Sequence, residues 1–446
     1  MTRVRPVERQ HMAFRGRVRR ARIGAVGAAV ALMLVATACG GSSGSSGSTS
    51  SNGKVTLSFA WWGDATRAKV TEAAISQFEQ KNPNIKITTE YAPFGSYSSK
   101  ITTQMSGGNA PDLLQIDRGF LNEYAGRGVL ANLSSQSSVL NLSGLDPNFV
   151  ASGKVSGQVV AVPFGQTTST LVVDMTKLAS LGLKPPKAGG TWDDLKVWAQ
   201  QVHDKSGGKT AGIADPGSSW GAFEAWQFQH GKQVYTTAGK IAFTASDLED
   251  FWNFTSDLRK SGAATPADVT ATITGTPADE PLAKGLAAAE WDFDSVFGSY
   301  VAATTDQLAL VPLPTFSGQT GMYARPSMLL SVSSKSPHPK QAAQLLNFLV
   351  NDPAAAKALG TGRGLFPNVS VRESLAKTAA GKNKQVYDYE ASQQSTFRPT
   401  PPAPPKGDGE LLTLMQRVYQ ATAFGQESVK DGAASFMSQA QTIMNQ

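Results

Sequence analysis

The chain has 446 residues, a net charge of +7 and one cysteine, and these features limit what it can be. The first 38 residues hold eight arginines and one acid, whereas the rest holds 33 basic and 33 acidic side chains. A neutral main body excludes the attraction to phosphate backbones on which nucleic-acid binding depends. A single cysteine excludes an intramolecular disulfide.

The first 38 residues have the three parts of a secretory signal. An arginine-rich segment ends near Arg22, an apolar run fills 23–38, and small residues at 36–38 precede Cys39. The run is too short and too rich in Ala and Gly for a good membrane span. It resembles the signal of bacterial lipoproteins, which implies cleavage before Cys39 and attachment of diacylglycerol to its thiol. The alternative is an ordinary signal peptide with an incidental cysteine.

A Gly/Ser-rich tract at 40–53 follows the cysteine. Such a composition forms a flexible coil, with an r.m.s. span of about 20 Å for this length. We therefore predict a signal peptide at 1–38, and a lipidated cysteine with a flexible tether at 39–53. This places the protein on the extracellular face of the cytoplasmic membrane, with the lipid as its anchor.

Strand and helix patterns alternate after the tether. Residues 54–62 alternate apolar side chains on one face, and 65–83 has apolar residues at helical spacing up to Asn82-Pro83. This alternation predicts an α/β unit with a mostly parallel sheet. Further elements are predicted as a strand at 84–93, a helix at 96–108 and a strand at 110–117.

The middle of the chain, roughly 166–305, is richer in tryptophan and in helical patterns. Two strand-like runs surround Pro163, and Thr191 with Asp194 has the spacing of a helix capping box. The other predicted elements are strand-like runs at 306–316 and 328–334, two helices in 336–360 joined at an Asn-Asp-Pro sequence, a Pro-rich loop at 395–409, and a helical segment from 410 to 446.

Several motifs occur in an order that resembles one protein family. In chain order they are VTLSFAWWGD, FEQKNPNIKI, GGNAPDLLQID, GQVVAVPFG, LGLKPPKAGGTWDDL, KGLAAAEWDFDSVFGSY, LALVPLP and PKQAAQLLNFLVNDPAAAKALGTGRGLFPNVSV. They resemble the extracellular solute-binding proteins of ABC importers, in the sugar-binding group related to maltose-binding protein. The resemblance extends over nearly all of 54–446.

The resemblance implies an α/β, two-lobed periplasmic-binding-protein-like fold with a hinge and an interlobe ligand cleft. It places 54–165 and about 318–365 in lobe 1, and about 166–317 and about 366–446 in lobe 2. It also implies capture of an extracellular sugar or oligosaccharide and its delivery to the membrane subunits of an ABC permease. We expect a monomer with no cofactor and, because the chain has only four histidines, no metal site.

The candidate ligand-binding residues are those that suit a neutral sugar. Sugar C–H faces stack on aromatic rings, and sugar hydroxyls need planar polar partners. Trp61, Trp62 and Asp64 provide both at the end of the first strand. Trp61 shares a strand face with Phe59, so it has a core position as its alternative, and Asp64 has the alternative role of a helix N-cap.

The remaining candidates fall near predicted strand ends, where open α/β sheets bind ligands. Alternation along a strand would put Trp291 and Phe293 on one side, and Asp292 and Asp294 on the other. Arg363 has the alternative role of a charge at a helix C-terminus. The full set of these further candidates is Tyr97, Asp117, Gln166, Trp220, Trp291, Asp292, Asp294, Tyr323, Arg325 and Arg363.

Two other functions remain open at this stage. A lipid-anchored glycosidase would need two carboxylates beside the scissile bond, and Asp292 with Asp294 is a candidate pair. A binding protein for a peptide or polyamine is the other alternative. The neutral main body and its tryptophans favour a sugar.

Overall fold

The computed structural model describes residues 53–445. The predictions for the signal peptide, for Cys39 and for nearly all of the tether lie outside these residues. Within 53–445, none of the helices combines the length and the apolar character that crossing a membrane requires.

The described chain alternates strands and helices in its first part and is mainly helical in its last part. The strands are β1 (Val55–Trp62), β2 (Ile85–Ala92), β3 (Leu113–Ile116), β4 (Lys154–Val155), β5 (Gln158–Val159), β6 (Val162–Thr167), β7 (Ser169–Asp174), β8 (Ala289–Phe293), β9 (Leu308–Val311) and β10 (Arg325–Val332). The α-helices are α1 (Ala65–Lys81), α2 (Phe94–Ser106), α3 (Arg118–Gly126), α4 (Pro147–Ala151), α5 (Met175–Ser180), α6 (Trp192–Lys205), α7 (Trp220–Gln229), α8 (Ala245–Lys260), α9 (Ala267–Thr270), α10 (Phe297–Ala303), α11 (Pro339–Asn351), α12 (Pro353–Leu359), α13 (Val369–Ala376), α14 (Gly381–Gln393), α15 (Asp408–Ala423) and α16 (Val429–Met444).

The first lobe is built on a five-stranded sheet with the order β2-β1-β3-β10-β6. β1 is parallel to β2 and β3, whereas β10 is antiparallel to β3 and to β6. The predicted mostly parallel sheet is therefore a mixed one. Its antiparallel half comes from β10, which enters the sheet from the second lobe.

Both faces of this sheet are covered, and β1 contributes to each of them. Leu57, Phe59 and Trp61 pack into the cluster with α1, α11 and α12, while Ala60 packs into the cluster on the opposite face. Successive side chains of a strand point to opposite faces, which explains why Trp61 and Trp62 have different surroundings.

The second lobe is built on a three-stranded antiparallel sheet with the order β8-β7-β9. Leu171 and Val173 of β7 pack against Leu195 and Val202 of α6. A further cluster joins α7, α8, α15 and α16 around Trp252. The C-terminal helices therefore complete the core of this lobe.

The chain crosses between the sheets at three places. The first is the β6–β7 junction at Thr167–Thr168, the second is the segment between β9 and β10, and the third lies between α13 and α14. Val371 and Leu375 of α13 pack against the first-lobe core, whereas Val386 of α14 packs with Val172 and Phe297 of the second lobe. This packing argues for a third crossing near residue 380, whereas the sequence predicts it near 366.

Most local predictions agree with the structure. Thr191 and Asp194 form the capping box of α6, and α11 and α12 meet at the Asn-Asp-Pro sequence. The predicted helical segment from 410 to 446 is instead two helices, α15 and α16. Gly425 has φ +70° between them, a conformation that glycine adopts readily and that ends a helix.

Candidate functional site

A cleft of about 1150 Å³ lies between the two lobes, and both contribute to its walls. Its first-lobe wall includes the carboxyl ends of β1 and β3, which is where α/β sheets commonly bind ligands. The structure brings seven of the predicted ligand-binding residues to this cleft. They are Trp62, Asp64, Asp117, Trp220, Trp291, Asp292 and Arg325.

The first-lobe wall presents an aromatic ring beside two helix N-termini. Trp62 is half-buried, with Phe94 edge-on to it at 5.4 Å. Asp64 accepts a hydrogen bond from the Arg67 amide at 2.8 Å, and Asp117 accepts one from the Gly119 amide at 2.8 Å. Both carboxylates are thus helix N-caps that also line the cleft, so the two roles considered for Asp64 occur together.

The second-lobe wall carries three aromatic side chains. Trp291 and Phe293 of β8 meet edge-to-face at 5.1 Å, and Trp220 begins α7. Gly221 leaves room for the Trp291 ring, because a Cβ at this position would lie 2.4 Å from a ring carbon. Asp292 borders the cleft together with Trp291 and Phe293, so strand alternation does not separate them at this strand end.

Two first-lobe candidates lie in the core and not on the cleft. Trp61 has no exposed surface and packs between Phe59 and Tyr91, which was its alternative interpretation. Tyr97 is 3% exposed, and its hydroxyl donates to the carbonyl oxygens of Ala60 and Gln115. We correct both positions, because strand alternation and the β1–β3 junction turn these rings inward.

Two other candidates lie at the hinge. Gln166 donates to Glu390 at 3.1 Å and accepts from Arg372 at 3.0 Å, so it links α14 to α13. Asp294 is fully buried and accepts from the Thr167 hydroxyl at 2.5 Å. Burial raises the pKa of Asp294 well above its usual range, and the nearby Glu390 carboxylate adds to this rise. Neither side chain lines the cleft, which corrects their predicted position.

The last two candidates lie directly behind the cleft wall. The Tyr323 hydroxyl accepts from Arg118 and donates to Glu224, each at 2.7 Å, so it connects the lobes. Arg363 is 2% exposed, donates to Gln115 at 3.3 Å and lies over the Phe164 ring. Both side chains are buried and neither lines the cleft, which corrects their predicted position on its surface.

The sequence patterns missed several residues of the cleft. Arg67, Arg118 and Glu280 all line it. Arg67 and Arg118 stand in the first turns of α1 and α3, where a helix-start signal gives no indication of a ligand role. Glu280 follows a short loop with no periodic pattern, so its approach to β8 was not foreseeable.

Three of the carboxylic acids that line the cleft lie together, and we call Glu280, Glu290 and Asp292 the acidic trio. Glu280 accepts hydrogen bonds from the amides of Thr274 and Gly275, and Glu290 accepts one from the Leu282 amide. Backbone bonds therefore hold these carboxylates in fixed positions.

The acidic trio has perturbed titration behaviour. Burial raises the pKa of Asp292 to about 6, although hydrogen bonds from the Phe293 amide and the Tyr300 hydroxyl oppose the rise. Burial raises the pKa of Glu280 to about 7, and the neighbouring Asp292 carboxylate adds to this rise. The pKa of Glu290 lies well above its usual range because of burial and the nearby Glu280. The trio thus holds protons that an approaching positive charge can displace.

The geometry bears on the other functions considered. Asp292 lines the cleft whereas Asp294 is buried at the hinge, so the two do not flank one site as a glycosidase acid pair would. Among residues 53–445, no group of three or more His, Cys, Asp or Glu side chains is arranged to hold a metal ion.

Comparison with known proteins identifies the family. The model of the family described as bacterial extracellular solute-binding protein matches residues 62–356, about two thirds of the chain. This chain belongs to that family. The match begins at Trp62, the last residue of β1, and includes the hinge at Thr167–Thr168 and the whole of β8.

Two solved structures resemble this solute-binding protein over 88% of its chain. An extracellular solute-binding protein family 1 member from Alicyclobacillus acidocaldarius is 33% identical, has a TM-score of 0.62 and is covered over 99% of its length. An oligogalacturonide-binding protein from Yersinia enterocolitica, solved with saturated digalacturonic acid, is 22% identical, has a TM-score of 0.79 and is also covered over 99%. The two-lobed fold is therefore that of periplasmic solute-binding proteins.

Curated relatives match this solute-binding protein over shorter stretches. An uncharacterized lipoprotein from Streptomyces antibioticus is 26% identical over 145 residues, which is 32% of each chain. The chain thus spans about a third of the length of the curated relatives that it matches first.

Proposed function

We propose that this protein is the lipid-anchored substrate-binding subunit of an ABC importer, and that it captures an extracellular sugar or oligosaccharide in the interlobe cleft. Family membership supports capture of a solute outside the cell. The likeness to an oligogalacturonide-binding protein supports a saccharide, and the likeness to a lipoprotein supports the anchor.

One observation carries the sugar assignment. Aromatic rings face the cleft from both lobes, with Trp62 on one wall and Trp291 on the other, and carboxylates and arginines stand beside them. Rings stack on the C–H faces of a sugar, and charged planar groups bond its hydroxyls. A cleft of about 1150 Å³ suits an oligosaccharide better than a single small solute.

Capture would use movement of the lobes about the hinge. Closure of two domains around a ligand is a known motion of such proteins, and the three crossings supply the hinge. The closed, loaded protein would then present both lobes to the permease subunits. The protein would act as a monomer and would leave its ligand chemically unchanged.

A thermal-shift screen of the purified chain from Cys39 onward against mono-, di- and trisaccharides tests this proposal. A ligand that prefers the folded state raises the melting temperature by mass action, so at least one saccharide should do so. Peptides and linear polyamines belong in the same screen. A shift with one of these classes and with no saccharide would overturn the sugar assignment.

A further inference from the structure

We propose that Arg325 determines which saccharide the cleft takes: its guanidinium binds the carboxylate of a sugar acid. This inference rests on the proposed function, because it specifies the class of saccharide that the same cleft takes. It starts from a comparison of the arginines that line the cleft in the described part of the chain.

Arg325 differs from the other three arginines of the cleft wall. Arg67 donates to the Gly362 carbonyl at 3.0 Å, Arg118 to the Tyr323 hydroxyl at 2.7 Å, and Arg417 to the Gln439 side chain at 2.6 Å. The Nε–H of Arg325 is buried and has no acceptor among residues 53–445. Arg325 is therefore the arginine whose donor a ligand can satisfy without breaking a bond within the protein.

The surroundings of Arg325 hold its charge in place without using this donor. Its guanidinium lies 4.8 Å above the Phe293 ring, and Phe293 meets Trp291 edge-to-face at 5.1 Å. Its ion-pair partner, the Oε2 atom of Glu224, is 3.9 Å away and already accepts from the Tyr323 hydroxyl at 2.7 Å. Arg325 is thus a positioned cation that keeps its Nε–H for another acceptor.

A carboxylate is the group that fits this donor best. A buried N–H without an acceptor is costly, and more so when the group is charged. The Nε–H and one Nη–H on the same side of a guanidinium are parallel, and they match the two oxygens of a carboxylate. A sugar hydroxyl offers a single oxygen and no charge.

A second donor on the same wall gives independent support. The Nε1–H of Trp291 is also buried without an acceptor among the described residues. Indole only donates, and an ionised carboxylate only accepts. The wall of Trp291, Phe293 and Arg325 therefore lacks acceptor oxygens, which a sugar acid supplies.

Ten aspartates and glutamates line the cleft in the described part of the chain, and their charge would oppose a carboxylate. Burial reduces this charge, because it raises the pKa of Asp292 to about 6 and the pKa values of Glu280 and Asp408 to about 7. Asp215 is buried and paired with Arg259 at 2.9 Å. The field that a sugar acid meets is therefore weaker than the number of acids indicates.

Most of these acids also have donors within the protein, unlike Arg325, which lacks an acceptor for its Nε–H. Backbone amides, hydroxyls or arginine supply hydrogen bonds to eight of the ten. They are Asp64, Asp117, Asp215, Glu224, Glu280, Glu290, Asp292 and Asp408. The unfilled donors of the wall therefore favour an acidic ligand group over a basic one.

The test is a calorimetric comparison of trisaccharides that differ only at C6, at about pH 6, where a uronate is ionised. The probes are α-1,4-linked galacturonate, its methyl ester and galactose, and β-1,4-linked glucuronate, its methyl ester and glucose. For one linkage, we expect the uronate to bind about tenfold more tightly than both its ester and its neutral counterpart. The ester keeps the carbonyl and removes the charge.

The outcomes separate the two proposals. If a neutral sugar or an ester binds as tightly as the uronates or more tightly, this inference is overturned and the proposed function stands. Absence of binding by every saccharide, uronates included, would overturn both.

Variants of Arg325 test its role directly. Arg325→Gln should reduce the ratio of uronate to neutral-sugar affinity about tenfold, because it removes the charge and the paired donors. Arg325→Lys keeps the charge without the paired donors, so it should retain only part of this ratio, and it replaces Arg325→Gln if that variant does not fold. A ratio that both variants keep at the wild-type value would contradict the role of Arg325.

A matched control is Lys205→Gln, which removes an exposed positive charge at the end of α6 that does not line the cleft. It should leave the affinity ratio unchanged. A ratio that falls equally in Lys205→Gln and in Arg325→Gln would indicate the net charge of the protein and would contradict binding of the carboxylate by Arg325.

Discussion

Trp62 is the side chain whose removal tests the aromatic wall of the first lobe. It is half-buried at the end of β1, where its ring contacts Phe94 and borders the cleft. Trp62→Ala should weaken sugar binding about tenfold, the equivalent of about 1.4 kcal/mol, and should leave the protein folded. Calorimetric titration with the best sugar gives the affinity, and circular dichroism reports the fold.

The control for this variant is Phe424→Ala, an aromatic residue that is 47% exposed and lies away from the cleft. It should retain the wild-type affinity. If both variants bind with the wild-type affinity, Trp62 does not contact the ligand.

The titration of Glu280 makes the free energy of unfolding depend on pH. Its pKa is raised to about 7 in the folded protein from an ordinary value of 4.5, so the folded state binds more protons than the unfolded state between these values. The free energy of unfolding should therefore fall as the pH rises from about 4 to about 7. Glu280→Gln should reduce this fall by roughly 1 to 3 kcal/mol.

Urea denaturation at a series of pH values measures this effect. The exposed acid variant Glu72→Gln should have the pH dependence of the wild type. A Glu280→Gln profile that runs parallel to the wild type would show that Glu280 ionises normally.

Single residues also mark the limit of sequence reasoning. Seven of the candidate residues line the cleft, and six of them are aromatic or acidic, whereas their contact with a ligand stays a prediction. Which of two adjacent tryptophans faces the cleft depends on the strand face that packs against α1, and this is a property of the tertiary structure. The same applies to Asp292 and Asp294, which a bend after β8 separates.

At the scale of a single helix, the capping box of α6 should stabilise the protein. Thr191 accepts from the Asp194 amide at 3.1 Å, and its own amide donates to the Asp194 carboxylate at 2.8 Å. Thr191→Ala should lower the free energy of unfolding by about 1 kcal/mol without changing sugar affinity, since Thr191 does not line the cleft. Urea denaturation and calorimetry measure the two quantities.

Thr237→Ala is the matched control, because Thr237 is exposed in a turn. Its free energy of unfolding should remain within about 0.5 kcal/mol of the wild type. Equal losses in both variants would argue against the capping box as the cause.

Elements with strong local signals were predictable, and those that depend on distant contacts were not. Capping residues and prolines predicted α6, α11 and α12, because these signals act within a few residues. Gly425 could have been taken for a tolerated glycine within one helix. The packing of α15 and α16 against α8 around Trp252 instead favours a turn at that position.

At the scale of the whole molecule, the sequence predicts a lipid anchor at Cys39, which lies outside the described residues. Cys39→Ala should move the protein from the membrane fraction to the medium and abolish metabolic labelling with a fatty acid, because we propose that its thiol carries the lipid. Ser42→Ala in the tether is the control and should remain in the membrane fraction. A Cys39→Ala protein that stays membrane-bound would contradict the lipid anchor.

The two-lobed plan was predictable because the order of motifs along the chain resembles a known family. The lobe boundaries remain a prediction, and the packing of α13 on the first lobe argues for a third crossing near 380. The connection from Arg118 through Tyr323 to Glu224 was not predictable, because it joins residues that are far apart in sequence.

The central claim is that the cleft binds a saccharide and releases it unchanged. The most direct measurement is calorimetric titration with the best sugar from the thermal-shift screen, followed by chromatography of the sugar recovered from the protein. We predict one binding site per chain and a recovered sugar of the original length. Absence of binding heat for every saccharide, or recovery of hydrolysed fragments, would contradict the account.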